Sequence, residues 1–293
     1  MSFDIVNYSA TAGRVVDDDV DYSAFERTPL PEAALRALHY MSDVESHTIC
    51  YLRDLLVTPS HQDPDITTFL TMWAYEEFWH GAVLDKVLAA HGRAVGPDRI
   101  RGIRLAQGRA DRLAPVYQAL AANLIGDDFI AVHMTFGAIN EWSAYASYGR
   151  LLAQTDHPEL TKIVGRIRRQ ETRHAAFYAS QARERLERSR AARRLTRLLL
   201  RVAWTPVGSG IMPAEETAFL VRYLMDGTEG TRMIRQIDDK IDRLPGLAGM
   251  HLVSRAVVRY GVGPDDAAGR GTGPVQRAGR RLWSLLRSPS LSR

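Results

Sequence analysis

Apolar residues recur every three or four positions between about residues 30 and 205, and the alternation that marks strands is nearly absent. That spacing predicts an all-α protein built on long helices. The first follows Thr28-Pro29-Leu30-Pro31, where proline suits a first turn, and carries Leu35, Leu38, Met41, Val44, Ile49, Leu52 and Leu56 to a stop at Thr58-Pro59-Ser60. The second opens at Asp63-Pro64-Asp65, runs to Ala90 and ends on His91-Gly92. An Arg-rich helical segment follows Gly96-Pro97-Asp98, and another covers roughly 112–124. A third long helix opens at Gly126-Asp127-Asp128 and ends near Thr155; a fourth opens at Asp156-His157-Pro158 and runs past Glu187. Four segments of about 25–30 residues far exceed the mean globular helix of about 11–12 and suit a helix bundle.

The flanks read differently. The first 27 residues, with Asp17-Asp18-Asp19, lack periodicity and predict an irregular arm. Thr205-Pro206-Val207-Gly208 breaks the helical pattern, after which two or three shorter helices are expected to about residue 260. Beyond Gly261-Val262-Gly263-Pro264 the chain is rich in Gly, Arg and Ser. The organisation expected is an arm over 1–30, a bundle over 31–204, a helical extension over 205–263 and a flexible basic tail over 264–293. Arg280-Arg281-Leu282-Trp283-Ser284-Leu285-Leu286-Arg287 has the pattern of a short basic amphipathic helix suited to a membrane surface or a partner, with a solvated tail as the alternative.

Composition narrows the class. Hydrophobic residues at 45% and charged residues at 25% fit a folded globular chain. No apolar run approaches the length of a membrane span. The N-terminus has no basic segment followed by an apolar core, so no secretory signal is expected. Cys50 is the only cysteine, which excludes an internal disulfide framework and any Cys-rich zinc or iron–sulfur site; it is expected to be a small buried hydrophobe in a cytoplasmic protein. The net charge is +4, and only Lys86, Lys162 and Lys240 among the 38 basic residues are lysine. Arginine's planar fork suits phosphates and carboxylates, so an acidic partner is expected.

One constellation carries chemistry. Glu77-Phe78-Trp79-His80 and Glu171-Thr172-Arg173-His174 are both Glu-x-x-His, each on a long predicted helix. Three helical residues span a rotation of about 300° and a rise of about 4.5 Å, so both side chains leave one face a turn apart and can ligate one metal or adjacent metals. On the long helix before each motif stands a lone acid at nearly equal distance, Glu45 before Glu77 and Glu141 before Glu171. The order Glu, Glu-x-x-His, Glu, Glu-x-x-His is an internal two-fold repeat with the ligand inventory of a ferritin-like di-iron carboxylate bundle. Two divalent irons bring four positive charges into an apolar core; four carboxylates neutralise them, and two imidazoles complete coordination with positions left open for dioxygen. Without metal, four buried glutamates are very costly to ionise together. A single Glu-x-x-His on an Arg-rich helix is ordinary surface charge. The paired repeat makes Glu45, Glu77, His80, Glu141, Glu171 and His174 the expected metal ligands and catalytic centre, with two iron ions (Fe) as cofactor. Neighbours predict burial: Val44, Ile49 and Leu52 by Glu45, Trp73, Phe78 and Leu84 by Glu77 and His80, Phe136 and Ile139 before Glu141, and Phe177 after His174. Glu76 lies beside the motif, but Glu77 is the acid spaced correctly to His80.

At this level of detail the chain resembles a known family. Trp73-Ala74-Tyr75-Glu76-Glu77-Phe78-Trp79-His80-Gly81, then Leu84, Lys86 and His91-Gly92-Arg93-Ala94-Val95, is similar to the soluble acyl-ACP desaturases of the plant stearoyl-ACP type. Met41-Ser42-Asp43-Val44-Glu45 with Tyr51, Phe136 to Gly149 around Glu141, and Gln170-Glu171-Thr172-Arg173-His174 resemble the family's other ligand segments. The resemblance covers roughly residues 31–187. It implies a homodimeric di-iron bundle that uses dioxygen and two electrons from a ferredoxin-type donor to oxidise an unactivated C–H bond of an acyl chain on acyl carrier protein. Two positions depart from the family. Gln170 stands where the family has an Asp beside a ligand histidine, and Ala144 stands where it has a Thr one turn after the third Glu. The missing hydroxyl leaves room for hydroxylation or another two-electron oxidation.

An acidic carrier, acyl carrier protein or acyl-CoA, predicts a basic docking face. Two arginine groups offer one: Arg99, Arg101, Arg104, Arg109 and Arg112, and Arg183, Arg185, Arg188, Arg190, Arg193, Arg194, Arg197 and Arg201. A solvated helix face is the plain alternative, and no recognition motif points to nucleic acid. Phe129, Met134, Phe136, Trp142, Tyr145 and Tyr148 ride with Glu141 and serve as core or as channel lining; Trp73 and Trp79 serve as packing or electron entry. Three function classes stay open: an oxygen-activating oxidoreductase on an acyl or other apolar substrate (desaturase first, hydroxylase or N-oxygenase next), a ferritin- or rubrerythrin-like iron handler, and a non-catalytic metal-binding protein.

Overall fold

The computed structural model describes residues 3–106 and 109–263, without the side chains of 109–114. Among the described residues the protein is all-α, with no strand. Two short helices, α1 (Ile5–Thr11) and α2 (Ala24–Arg27), precede a first long pair, α3 (Glu32–Leu55) and α4 (Pro64–Ala90). Then α5 (Pro97–Ala106) and α6 (Arg109–Ile125) lead to a second long pair, α7 (Asp128–Thr155) and α8 (Pro158–Arg188). The chain continues through α9 (Arg190–Ala203), α10 (Ala214–Met225), α11 (Gly227–Asp242) and α12 (Leu252–Val257). The four long helices enclose one core: α3 packs on α4 and α7 on α8, while α4 meets α8 and α3 meets α7.

Local chemistry fixes the ends of these helices. Asp63 caps α4 by accepting from the amides of Asp65 and Ile66 at 3.0 and 3.2 Å, with Pro64 in the first turn. The same carboxylate pairs with Arg185 at 2.5 Å and so ties the start of α4 to the end of α8. Two glycines set the helix spacing. A Cβ at Gly81 would come 2.6 Å from Ser46 Oγ, and one at Gly137 would come 2.3 Å from the buried Tyr178 ring, so each pair packs closely only because that side chain is missing.

Some sequence expectations need correction. The N-terminal segment is not irregular: α1 and α2 form, and Tyr8, Val15 and Phe25 are buried against the long helices. Seven residues are too few to display a helical period, and tertiary contact supplies what periodicity could not. The last long helix runs past Glu187 to Arg188, as expected; Ser189 then leaves it at φ −120° and ψ 121° and caps α9 by accepting from the Ala192 amide. The helix formers on both sides of Ser189 hide this break. Ile49 and Phe78, expected beside the acids in the core, point outward at 52% and 59% exposure, and Cys50 is only half-buried.

The extension packs on the bundle through named bonds. Arg150 and Gln154 on α7 donate to the Leu224 and Tyr223 carbonyls at the end of α10. Tyr40 donates to the Val207 carbonyl beside Gly208, whose φ of +83° and contact with Tyr40 and Val44 leave no room for a side chain. Arg183 donates to the Arg243 carbonyl, and Arg197 to those of Gly246 and Ala248. Several arginines expected on a docking face therefore hold backbone. Arg99 likewise forks onto buried Asp43 and Arg104 onto the Ser46 carbonyl. The side chains of Arg109 and Arg112, the tail over 264–293 and its amphipathic segment lie outside the described residues. Among the described residues no helix is long and apolar enough to cross a membrane.

Gly137→Ala should destabilise the fold by about 1–3 kcal/mol, because the Tyr178 ring has nowhere to go and overpacking outweighs the gain in helix propensity. An unchanged denaturant midpoint would show that the α7–α8 approach can relax.

Candidate metal centre

All six predicted residues are buried and converge midway along the four long helices. Glu45 comes from α3, Glu77 and His80 from α4, Glu141 from α7, and Glu171 and His174 from α8. Their donor atoms form two groups, each within 4.8 Å: Glu45, Glu77, His80 and Glu171 in one, Glu77, Glu141, Glu171 and His174 in the other. Glu77 and Glu171 belong to both. The internal repeat thus becomes a pair of adjacent four-donor sites with two shared carboxylates.

Both imidazoles present Nδ1 to the acids. His80 Nδ1 lies 3.4 Å from Glu171 and 3.8 Å from Glu45 and Glu77. His174 Nδ1 lies 3.2, 3.6 and 3.5 Å from Glu77, Glu141 and Glu171. Partners on the far side of each ring set this orientation. His80 Nε2 donates to Gln170 Oε1 at 2.9 Å, and His174 Nε2 donates to Glu76 Oε2 at 2.8 Å. With the Nε2 proton held outside, Nδ1 is left as the inward donor atom, as a ligand histidine requires. Gln170 thus orients the His80 ring, and its amide also donates to Glu76 at 2.8 Å, joining the two motifs.

Glu76, which the ligand spacing leaves without a role, is therefore part of the site. It accepts from His174, Gln170, the Tyr8 hydroxyl at 2.8 Å and the Gly13 amide at 3.2 Å. Burial resists ionisation of Glu76, but its bond to His174 outweighs this and holds its pKa below the usual carboxylate range. Arg173 straps the arm down by donating to the Tyr8 carbonyl and the Thr11 hydroxyl. Two further bonds brace the acids themselves: Tyr148 donates to Glu45 at 2.5 Å and Trp73 Nε1 to Glu141 at 3.0 Å. Tyr8 had no signal in the sequence, since its role depends on the arm folding back onto α4.

The electrostatics are those of a cage short of positive charge. Burial first, and neighbouring carboxylates second, push Glu77 and Glu141 well above the ordinary glutamate pKa. Burial opposes ionisation of Glu171 too, but the nearby Glu141 carboxyl and the two positively charged imidazoles outweigh it and hold Glu171 low. Burial would discharge His80 and His174, yet the surrounding carboxylates hold both well above the usual histidine value. Protons thus occupy the place of a cation. Glu77 Oε1, both oxygens of Glu171 and Nδ1 of both histidines have no hydrogen-bond partner although they are buried. Carboxylate oxygens and imidazole nitrogen, unpartnered and converging, are the donor set for a divalent first-row metal, and they could hold one.

A narrow apolar pocket of about 60 Å³ reaches this cluster at Glu45. Met41, Val44, Ala144, Leu220, Val221 and Leu224 contribute most of its walls, so α3, α7 and the extension build it together. No protein-family model matches the sequence, and neither the curated proteins nor the solved structures compared with it give a match.

Divalent cobalt should bind more tightly as pH rises from acidic to neutral. Protons retained on Glu77, Glu141, His80 and His174 must leave before metal enters, and raising pH removes that competition. Titrations in a pH series would show the dissociation constant falling; a flat profile would contradict this account.

Proposed function

We propose that this protein is a di-iron, dioxygen-dependent oxidoreductase acting on an acyl chain, with desaturation of a carrier-bound acyl group as the leading reaction. The observation that carries the reading is the pair of four-donor groups sharing Glu77 and Glu171, with ligand atoms buried and unpartnered. Glu45 and His80 would complete one metal's shell, Glu141 and His174 the other's. A bound iron pair supplies activation of dioxygen, which no protein side chain can perform.

The polypeptide contributes the rest. Gln170 and Glu76 hold the imidazoles in one tautomer, while Tyr148 and Trp73 fix Glu45 and Glu141. The pocket beside Glu45 offers an apolar path to the cluster, which suits a hydrocarbon and excludes bulk water. In this form it admits only a short apolar segment, so a longer chain requires its α10 wall to move. Overall, two C–H hydrogens and two externally supplied electrons with two protons reduce dioxygen to two waters, leaving a double bond. The electron donor implied is ferredoxin-like, the carrier acyl carrier protein or coenzyme A, the assembly a homodimer and the setting cytoplasmic.

Oxygen insertion is the second reading, and Ala144 favours it. This residue lines the pocket, so the hydroxyl that the resemblance would place there is replaced by a methyl group.

Metal analysis after iron reconstitution should find about two irons per chain, and Glu141→Ala should reduce that loading. Mass spectrometry of acyl-carrier and acyl-coenzyme A panels, with reduced ferredoxin and air, should show loss of two hydrogens for desaturation or gain of one oxygen for insertion. A reconstituted protein without metal would defeat the reading.

A further inference from the structure

A second groove, of about 440 Å³, lies between α7, α8 and α11. Its floor is a run of small residues on α7, Ala146, Gly149 and Ala153, with Trp142 and Tyr145 toward the N-terminal side. The basic residues on its walls come from all three helices, Arg150 from α7, Arg168 from α8, and Arg232 and Lys240 from α11, with Arg243 just past its end; Glu229 and Asp239 are the acids. Glu229 is already engaged by Arg232 one turn along α11.

Two of the cations stand out because they lie against ring faces with no acidic partner. Arg168 lies 4.1 Å over the Tyr145 ring, and its Nε is buried with no hydrogen-bond partner. Gly149 makes this possible, since a Cβ there would come 3.2 Å from the Arg168 guanidinium. Lys240 Nζ sits 5.7 and 5.8 Å from the Trp142 and Tyr145 rings. Burial, together with Arg243, pushes the Lys240 ammonium below its usual pKa. Ring faces offset part of the desolvation of a cation but supply no counter-charge. An anion in the groove would satisfy the orphaned Arg168 nitrogen and give the Lys240 ammonium a counter-charge.

The lining also says what kind of anion. With the Arg232–Glu229 pair set aside, four cations against Asp239 favour a ligand with more than one negative charge over a lone carboxylate. The volume exceeds that of an inorganic ion by several water equivalents of about 30 Å³ each, so the charge arrives on an organic body. A guanidinium fork and an ammonium on opposite walls match phosphoryl oxygens.

We infer that this groove binds an organic phosphate carrying two or more negative charges, held by Arg168 and Lys240 with its body along Ala146, Gly149 and Ala153. The inference does not rest on the metal centre, because none of these side chains is among the metal-binding or ring-orienting groups.

Calorimetry on the full chain would test it, with ADP and coenzyme A as soluble probes and phosphatidic-acid vesicles as the membrane probe. One of these should bind, more weakly at high salt. Arg168→Gln with Lys240→Gln should weaken that binding at least about tenfold, while Lys240→Arg, which keeps the charge, should retain most of it. Soluble binding identifies a free metabolite, and binding confined to vesicles identifies a lipid headgroup; loss in the double variant supports the site in either case. Helical circular dichroism would show that the variants fold, and Gly149→Ala, which crowds only the guanidinium, gives an independent variant that should also bind less. Failure of every probe, or equal affinity in wild-type protein and a folded double variant, would overturn the inference.

Discussion

Enclosing four carboxylates and two imidazoles in an apolar core, with no permanent counter-ion from the polypeptide, is the constraint on which the rest of this structure depends. Each buried ion costs several kcal/mol after relaxation. Sharing protons among Glu77, Glu141 and the two rings relieves part of that cost, and braces from Tyr148, Trp73, Gln170 and Glu76 relieve more. No bond of this kind supplies positive charge, and for that reason the unsatisfied atoms all face inward rather than being scattered over the site.

The ligand positions were legible because a helix has a fixed period. Once Glu-x-x-His lies on a helix, both side chains must share a face, and a repeated spacing must bring two such faces together across a bundle. Glu76 shows where this logic stops. It is one residue from Glu77, about 100° around the helix, and its importance comes from Tyr8, Gly13 and Gln170, which approach it from distant parts of the chain. The same limit applies to α1, too short to show a period, and to the Ser189 break between strong helix formers. The extension was legible as a change in pattern, but not as one wall of the pocket beside Glu45.

The arginine bias takes on a structural meaning. Arg183 and Arg197 reach backbone carbonyls of the segment after α11, Arg185 closes onto the cap of α4, and Arg99 neutralises a buried aspartate. A lysine offers a point charge where these contacts use a directional fork, so this surface is as much fastening as field. Charge not consumed in this way, on Arg168 and Lys240, is correspondingly informative.

The N-terminal arm lands on a surface that exists only after two halves of the protein have met. Glu76 is contributed by α4, Gln170 and Arg173 by α8, and the arm bonds to all three. Until those helices dock, it has nothing to grasp. Its closure therefore presupposes that the two halves are docked, and it braces, through Glu76, the outer edge of one imidazole.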